Sequence, residues 1–190
     1  AWWRMGDSGT YFNGNWEIPE QTKIDNWSSH SMAFDGVDNH VRIGALNTSL
    51  GITGAISISF WVKMPAGATT LNAPLGEDST GGSTRDWGFL CVYNNLYFEH
   101  FNTDGTKTQC IDPSASTIQD GEWHHVMGTY IGDTTANGLK LYIDGSLVNQ
   151  QTTGSTGTRA SAQSTYIGGV GGSGTAYNWN GSIDDVAVFN

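Results

Sequence analysis

At 190 residues, the chain sets eight Lys and Arg against eighteen Asp and Glu, for a formal net charge of −10. Eight scattered cations form no basic patch, which argues against nucleic acid and anionic membrane as partners, since neutralising phosphates needs clustered Lys and Arg. Charged residues make up 14% and aromatic residues 12% of the chain, glycines number 26 and no apolar run is long enough to cross a bilayer, a composition that fits one loop-rich all-β domain of extracellular type.

Residues 1–30 stand apart, with Trp2, Trp3, Tyr11, Phe12, Trp16 and Trp27 spread through turn-like sequence. They predict a lead-in segment that packs on the following domain, residues 31–190, or on a neighbouring one. Phe34, Val37, Val41 and Ile43 then predict a loose strand around Asp35-Gly36. Ile56, Ile58, Phe60 and Val62 alternate with Ser57, Ser59, Trp61 and Lys63, the period of a half-buried strand. Pro65 to Arg85 is rich in Gly, Ser and Thr and predicts a long loop.

Trp87–Tyr93, Leu96–Phe101 and Lys107–Ile111 predict a three-strand meander, with Asn94-Asn95 and Asp104-Gly105 as its turns. Gly121–Tyr130 alternates, as does Leu139–Val148 about Asp144-Gly145, the dipeptide that best supplies the positive φ angles of a tight hairpin. A second loop is expected over Thr152–Ala162, followed by strands at Ser164–Gly168 and Ser182–Phe189. No window longer than ten residues has helical spacing with caps. The expected architecture is all-β, a two-sheet antiparallel sandwich, and the chain reads as a piece of a longer protein.

In the predicted meander register, Cys91 lies opposite Phe98 and Cys110 opposite Glu99, on opposite faces with a strand between them. That exceeds the roughly 7 Å limit on Cα separation in a disulfide, so both are expected as free thiols.

Five segments occur together in one order: Ser31–Val41 with its Phe34-Asp35-Gly36, Ile56–Val62, Gly121-Glu122-Trp123-His124-His125-Val126, Leu141–Gly145, and Gly181–Phe189 with its Ile183-Asp184-Asp185-Val186. In this the chain resembles the laminin-G-like domains of the concanavalin A-like lectin/glucanase superfamily over residues 31–190. The resemblance implies a concanavalin A-like jelly roll and a non-catalytic, adhesive or carbohydrate-binding, extracellular module. It also implies a structural calcium ion, with Asp35, Gly36, Asp184 and Asp185 at the matching motifs and Asp38 as a further ligand. Oxygen donors from neighbouring strand ends suit that hard ion. The alternative is that Asp35 only shapes a turn and that Asp184 and Asp185 cap a strand. Ala1–Asp7 and Trp16–Pro19 are similar to the lead-in of such domains in structural proteins of marine tailed phages, which implies a virion surface or fibre and self-association there.

Other chemistry is weighed and set aside. Gly169–Gly174 matches G-x-G-x-x-G, but Thr175–Gly181 cannot be the helix that would hold a pyrophosphate. Gly6-Asp7-Ser8-Gly9 is similar to a protease nucleophile segment but continues into Thr10. The five glutamates, Glu17, Glu20, Glu77, Glu99 and Glu122, have no acidic partner at the spacing of a glycosidase strand, so no enzyme is expected. No histidine pair has zinc spacing, and His124 and His125 are expected on opposite faces. Asn26, Asn47 and Asn180 stand in N-x-S/T triplets, relevant only in a eukaryotic secretory pathway.

The candidate ligand platform is aromatic, because sugars stack their apolar faces on exposed rings. Trp87, Tyr177 and Trp179 sit in or beside Gly- and Asn-rich loops, with Arg85, Asp86 and Asn178 close in sequence to bond hydroxyls. Core packing is the competing reading for the tryptophans, and Trp61 and Trp123 are expected to be packed. The expected partner is a glycan or cell-surface receptor, with pure virion assembly as the alternative.

Overall fold

Apolar residues on one parity and polar residues on the other make β5 (Ile56–Lys63) and β10 (Trp123–Tyr130) the centre of a six-stranded sheet. Ile56, Ile58, Phe60 and Val62 are buried, as are Val126 and Tyr130 across from them. The computed structural model describes residues 10–12, 15–17, 30–68, 71–78, 85–114, 117–170 and 177–190. Two compact units are found, Ala1–Ser31 and Met32–Asn190. In the first, β1 (Thr10–Phe12) and β2 (Asn15–Glu17) form an antiparallel hairpin. Trp2, Trp3, Trp27, Asn26, the Gly6–Gly9 segment and residues 171–176 lie outside the described residues.

The second unit is a sandwich of two six-stranded antiparallel sheets. The first sheet runs β12 (Ser146–Gln151), β11 (Leu139–Ile143), β10, β5, β14 (Asn180–Phe189), β3 (Met32–Asp35). The second runs β4 (Val41–Gly44), β13 (Ser164–Ile167), β6 (Asn72–Asp78), β7 (Arg85–Val92), β8 (Asn95–Phe101), β9 (Lys107–Ile111). A single-turn helix α1 (Leu46–Leu50) closes on Gly51 in the left-handed region and follows β4.

Between the sheets lies one continuous core. Phe89 stacks on Phe98 with ring centres 4.7 Å apart, and Phe60 meets Phe89 edge-on at 4.8 Å. Phe60 comes from the first sheet and the other two from the second, so this trio ties the layers together.

Four expectations about strands change. Asp35-Gly36 does not lie within one strand: with Gly36 at φ 76° the chain leaves β3 in the first sheet and enters β4 in the second. The expected loop Pro65–Arg85 contains an inner strand, β6. Pro74 falls where the β6–β7 register breaks between Asn72 and Leu75, the kind of irregularity at which a strand tolerates a missing N–H. The β7–β8 turn is Tyr93-Asn94 rather than Asn94-Asn95, since Val92 pairs with Asn95. Finally, Phe98 rather than Glu99 opposes Cys110, because the loop after β8 is longer by one position than a two-residue turn.

That single-residue slip reverses the face of Cys110. Cys91 opposes Leu96 and Cys110 opposes Phe98, so both thiols point into the core on the same side of the sheet, with β8 between them. They are free and buried, and burial pushes both thiols up to about 12. A thiol held in that state is a poor nucleophile.

The Asp144-Gly145 turn joins β11 to β12 with both residues at positive φ. It is tied to β10 by His124, whose Nδ1 lies 2.7 Å from Asp144 Oδ2 and whose Nε2 lies 3.0 Å from Asp120 Oδ1. Burial alone would lower the imidazole pKa, but the hydrogen bonds to Asp144 and Asp120 outweigh it and raise the pKa above 6.5. A raised folded pKa contributes stability that is fully present below about pH 6.5 and is lost as pH rises through the folded value. Thermal melts from pH 5.5 to 8.5 should therefore show the wild-type advantage over His124→Gln shrinking with pH, by at most about 1 kcal/mol. Parallel profiles for the two proteins would show that the imidazolium contributes nothing.

Candidate functional site

The outer face of β7–β9 carries the described residues that best suit a ligand. Glu99 on β8 opposes Gly88 on β7 and Gln109 on β9. Gly88 leaves room for the Arg85 side chain, which crosses to the same face after the register break at the start of β7. There Arg85 Nη1 donates to Glu99 Oε2 at 2.5 Å, while Lys107 Nζ and Gln109 Nε2 donate to Oε1 at 3.1 and 2.5 Å. Glu99 is buried and takes three donors, so it is fixed in place. The Arg85 guanidinium sits 5.9 Å from the centre of the Tyr177 ring.

Around this ion pair opens a cleft of about 330 Å³, lined by Leu71, Arg85, Leu90, Val92, Glu99, Phe101, Lys107 and Tyr177. It combines apolar walls, two aromatic rings and two cations. Lys107 is 43% exposed, so its ammonium can reach a ligand without leaving Glu99 unpaired. Two of the chain's eight cations converge here, although the chain as a whole carries −10. The cleft therefore favours a ligand that presents an acidic or hydroxyl-rich group beside an apolar surface.

Of the six residues expected to bind ligand, Arg85 and Tyr177 reach this cleft. Trp87 and Trp179 do not: both are completely buried in the core cluster. Asp86 is also buried, its carboxylate accepting the Ser161 N–H and hydroxyl at 2.8 and 2.5 Å. Asn178 is half-buried and donates its side-chain amide to the Val37 carbonyl, which fixes the turn after β3. The stacking platform of Trp87 and Trp179 is thus corrected, because indoles on the inward parity fill the sandwich rather than line a loop.

Trp61 and Trp123 reverse in the other sense. Instead of packing, they are 40% and 38% exposed on the outer face of the first sheet. Trp61 opposes His125, with ring centres 5.3 Å apart, and Trp123 opposes Lys63 on the next same-face rung. Leu147 and Phe189 are further exposed apolar residues of that sheet.

The five expected calcium ligands fall in two places. Asp35 Oδ1 accepts the Val37 N–H at 2.9 Å, and the exposed Asp38 offers its carbonyl to His40 Nδ1 at 3.0 Å. Asp35 pairs with Asn180, four residues before Asp184 along β14, a distance of about 14 Å at the rise of a strand. Asp184 Oδ1 is turned to the Asp185 N–H at 2.8 Å inside a β-bulge, with Asp185 at φ 45°. Calcium–oxygen distances are about 2.3–2.6 Å, so Asp35, Gly36, Asp38, Asp184 and Asp185 do not fit one ion as a set. Among the described residues no group of three or more His, Cys, Asp or Glu is placed to hold a metal.

One acidic pair escaped sequence reasoning, because its members come from different strands. Glu77 on β6 and Asp86 on β7 lie within electrostatic range, both buried. Asn47 of α1 covers them: its N–H donates to Glu77 Oε1 at 3.2 Å, and its Oδ1 accepts the Trp87 indole N–H at 3.0 Å. Burial first and the Asp86 charge second push the Glu77 acid up to about 8. The only signal in the sequence was Glu77 itself, a charged residue directly after the uncharged run Ala73–Gly76. Burial also closes the Asn47 triplet to any modifying enzyme.

The laminin G family model of the concanavalin A-like lectin/glucanases superfamily matches residues 35–190. No curated protein matches the sequence. Among solved structures, the mouse laminin alpha1 chain, domains LG4-5, is 16% identical with a TM-score of 0.59, covering 84% of this chain and 40% of that one. The receptor binding domain of botulinum neurotoxin D is 15% identical with a TM-score of 0.60, covering 85% of this chain and 43% of its own. The CBM40 of the Ruminococcus gnavus IT-sialidase, bound to alpha2,3 sialyllactose, is 16% identical with a TM-score of 0.57, covering 84% and 91%. The chain thus spans less than half the length of the first two, and identities this low speak for the fold alone. Through the model matched over residues 35–190, the chain belongs to the concanavalin A-like lectin/glucanases superfamily.

Proposed function

We propose that the domain is a non-catalytic recognition module that binds a carbohydrate in the Arg85–Tyr177 cleft, on an extracellular or virion surface. The observation that carries this reading is the convergence of Arg85, Lys107, Phe101 and Tyr177 around one open cleft. Rings offer a pyranose its stacking surface, and cations bond its hydroxyls or an acidic substituent. The CBM40 that shares this fold holds sialyllactose, and the neurotoxin D domain that shares it is a receptor binding domain, so the fold is compatible with ligand recognition.

The absence of catalysis is argued from the carboxylates. Cleaving a glycosidic bond takes two carboxyl groups on opposite sides of it, about 5–9.5 Å apart. Among the residues lining the cleft only Glu99 is acidic, and three donors hold it. Glu77 and Asp86, an acid pair on β6 and β7, are buried beyond the reach of a sugar.

Glycan-array binding followed by calorimetry tests the proposal. Lys107→Ala and Tyr177→Ala should each weaken the best glycan roughly tenfold or more, about 1.4 kcal/mol, while leaving the fold intact. Unchanged affinity in both variants would remove the cleft from the account.

The exposed face of Trp61, Trp123, Leu147 and Phe189 favours a second reading, assembly with copies of the chain or with neighbouring structural domains, as in a phage virion or fibre. Sedimentation of the wild type against Trp61→Ser separates the two readings, since sugar binding in the cleft would not respond to that change.

A further inference from the structure

Beneath α1, on the side of the second sheet that faces the core, two buried oxygens have no hydrogen-bond partner: Glu77 Oε2 and Thr165 Oγ1. Both residues are completely buried. They oppose one another across β6 and β13, so their side chains leave the same face with Cβ atoms about 4.5–5.5 Å apart. Two unsatisfied oxygens on one rung are costly, since burial strips each of its water. As placed, neither oxygen has a partner, the Thr165 hydroxyl included.

Asp86 adds a second carboxylate within electrostatic range of Glu77. Both its oxygens accept from Ser161 and Asn47 adds a further side-chain hydrogen bond, which leaves part of the carboxylate's acceptor capacity for another ligand. Arg159 Nε stands 3.9 Å from Asp86 Oδ1, beyond hydrogen-bonding distance. The place therefore gathers oxygen donors of net negative charge.

We propose that Glu77, Thr165 and Asp86 hold a divalent hard cation of the calcium class beneath α1. Two carboxylates match its charge, and calcium accepts an irregular set of oxygens, whereas magnesium demands a near-ideal octahedron and keeps several waters. Asn47 supports the site from α1 by fixing Glu77 Oε1 through its N–H. With a cation bound, Glu77 is ionised and α1 is fastened to β6 and β13. This site shares no residue with the Asp35 turn or the Asp184 bulge, and it is independent of the carbohydrate cleft.

Protein stripped with EDTA and exchanged into chelator-free buffer is titrated with calcium chloride by calorimetry and followed in thermal melts. Magnesium chloride serves as the comparison, and Glu77→Gln, Thr165→Val and Asp184→Ala as variants. The expected result is saturable calcium binding that raises Tm by mass action, weakened at least tenfold in Glu77→Gln and measurably in Thr165→Val, and unchanged in Asp184→Ala. Thr165→Val keeps the shape of the side chain, and so reports on the site if Glu77→Gln folds poorly. No saturable calcium binding by the wild type would overturn the proposal, leaving Glu77 as a protonated acid beside a buried water. Binding unchanged in both Glu77→Gln and Thr165→Val would also overturn it.

Discussion

Trp87→Ala should lower the unfolding free energy by about 3–5 kcal/mol, the range for removing a large aromatic ring from a close-packed core. Trp87 is completely buried, paired with Glu77 on β6 and His100 on β8, so no loop can collapse into the space it leaves. The loss extends beyond packing. Its indole N–H is the donor to Asn47 Oδ1, and Asn47 is itself buried, so the substitution strands an acceptor and loosens α1 over the Glu77 cluster. Urea unfolding followed by circular dichroism checks this. A change under about 1 kcal/mol, with ligand affinity lost instead, would restore Trp87 as a binding residue. Trp87→Phe retains most of the ring and should fall between, marking how much of the effect belongs to the hydrogen bond.

Much of the sandwich can be read from period-two patterning where one face of a strand is wet. Ile56, Ile58, Phe60 and Val62 point inward as their alternation implies, and so do Leu139, Leu141 and Ile143. The same parity that turns Phe60 and Val62 inward turns Trp61 outward, so its exposure was legible in the sequence. It was obscured by the general preference of tryptophan for interiors. Strands covered on both faces are harder, because alternation carries no information there. β7 is buried from Arg85 to Cys91, and only its part from Trp87 onward read as a strand, while β6, which contains a proline and a glycine, read as a loop. The Arg85–Tyr177 cleft was half legible. Arg85 and Tyr177 stood out as polar and aromatic groups near glycine-rich sequence, but Glu99, Lys107 and Gln109 join them only through the β8–β9 register. A one-residue error in that register, as at Cys110, sends Glu99 to the wrong partner. No local pattern could have placed Thr165 beside Glu77, since 88 positions and six strands separate them in the chain.

The glycine in the middle of β10 shows the same interior from the other side. Gly128 pairs with Ile58 and Leu141 on the inward parity, where every neighbouring position carries a large side chain. A Cβ there would lie 2.7 Å from Phe89 Cζ and 2.8 Å from Phe98 Cδ1 and Cε1. Those rings stack on each other and Phe89 also meets Phe60, so neither can swing aside without breaking the contact that joins the sheets. Gly128→Ala should therefore destabilise by about 1–3 kcal/mol and Gly128→Val by at least as much, through overpacking rather than backbone strain. At this chain length each kcal/mol lowers Tm by about 2–4 °C. Gly54→Ala is the matched control, because its added methyl meets nothing within 4 Å, and it should change stability by less than about 0.5 kcal/mol. If Gly128→Ala melted with the wild type, the rings of Phe89 and Phe98 would have to be free to move. The core would then be looser than its 4.7 Å stack implies, and the Trp87 cavity would close more readily as well.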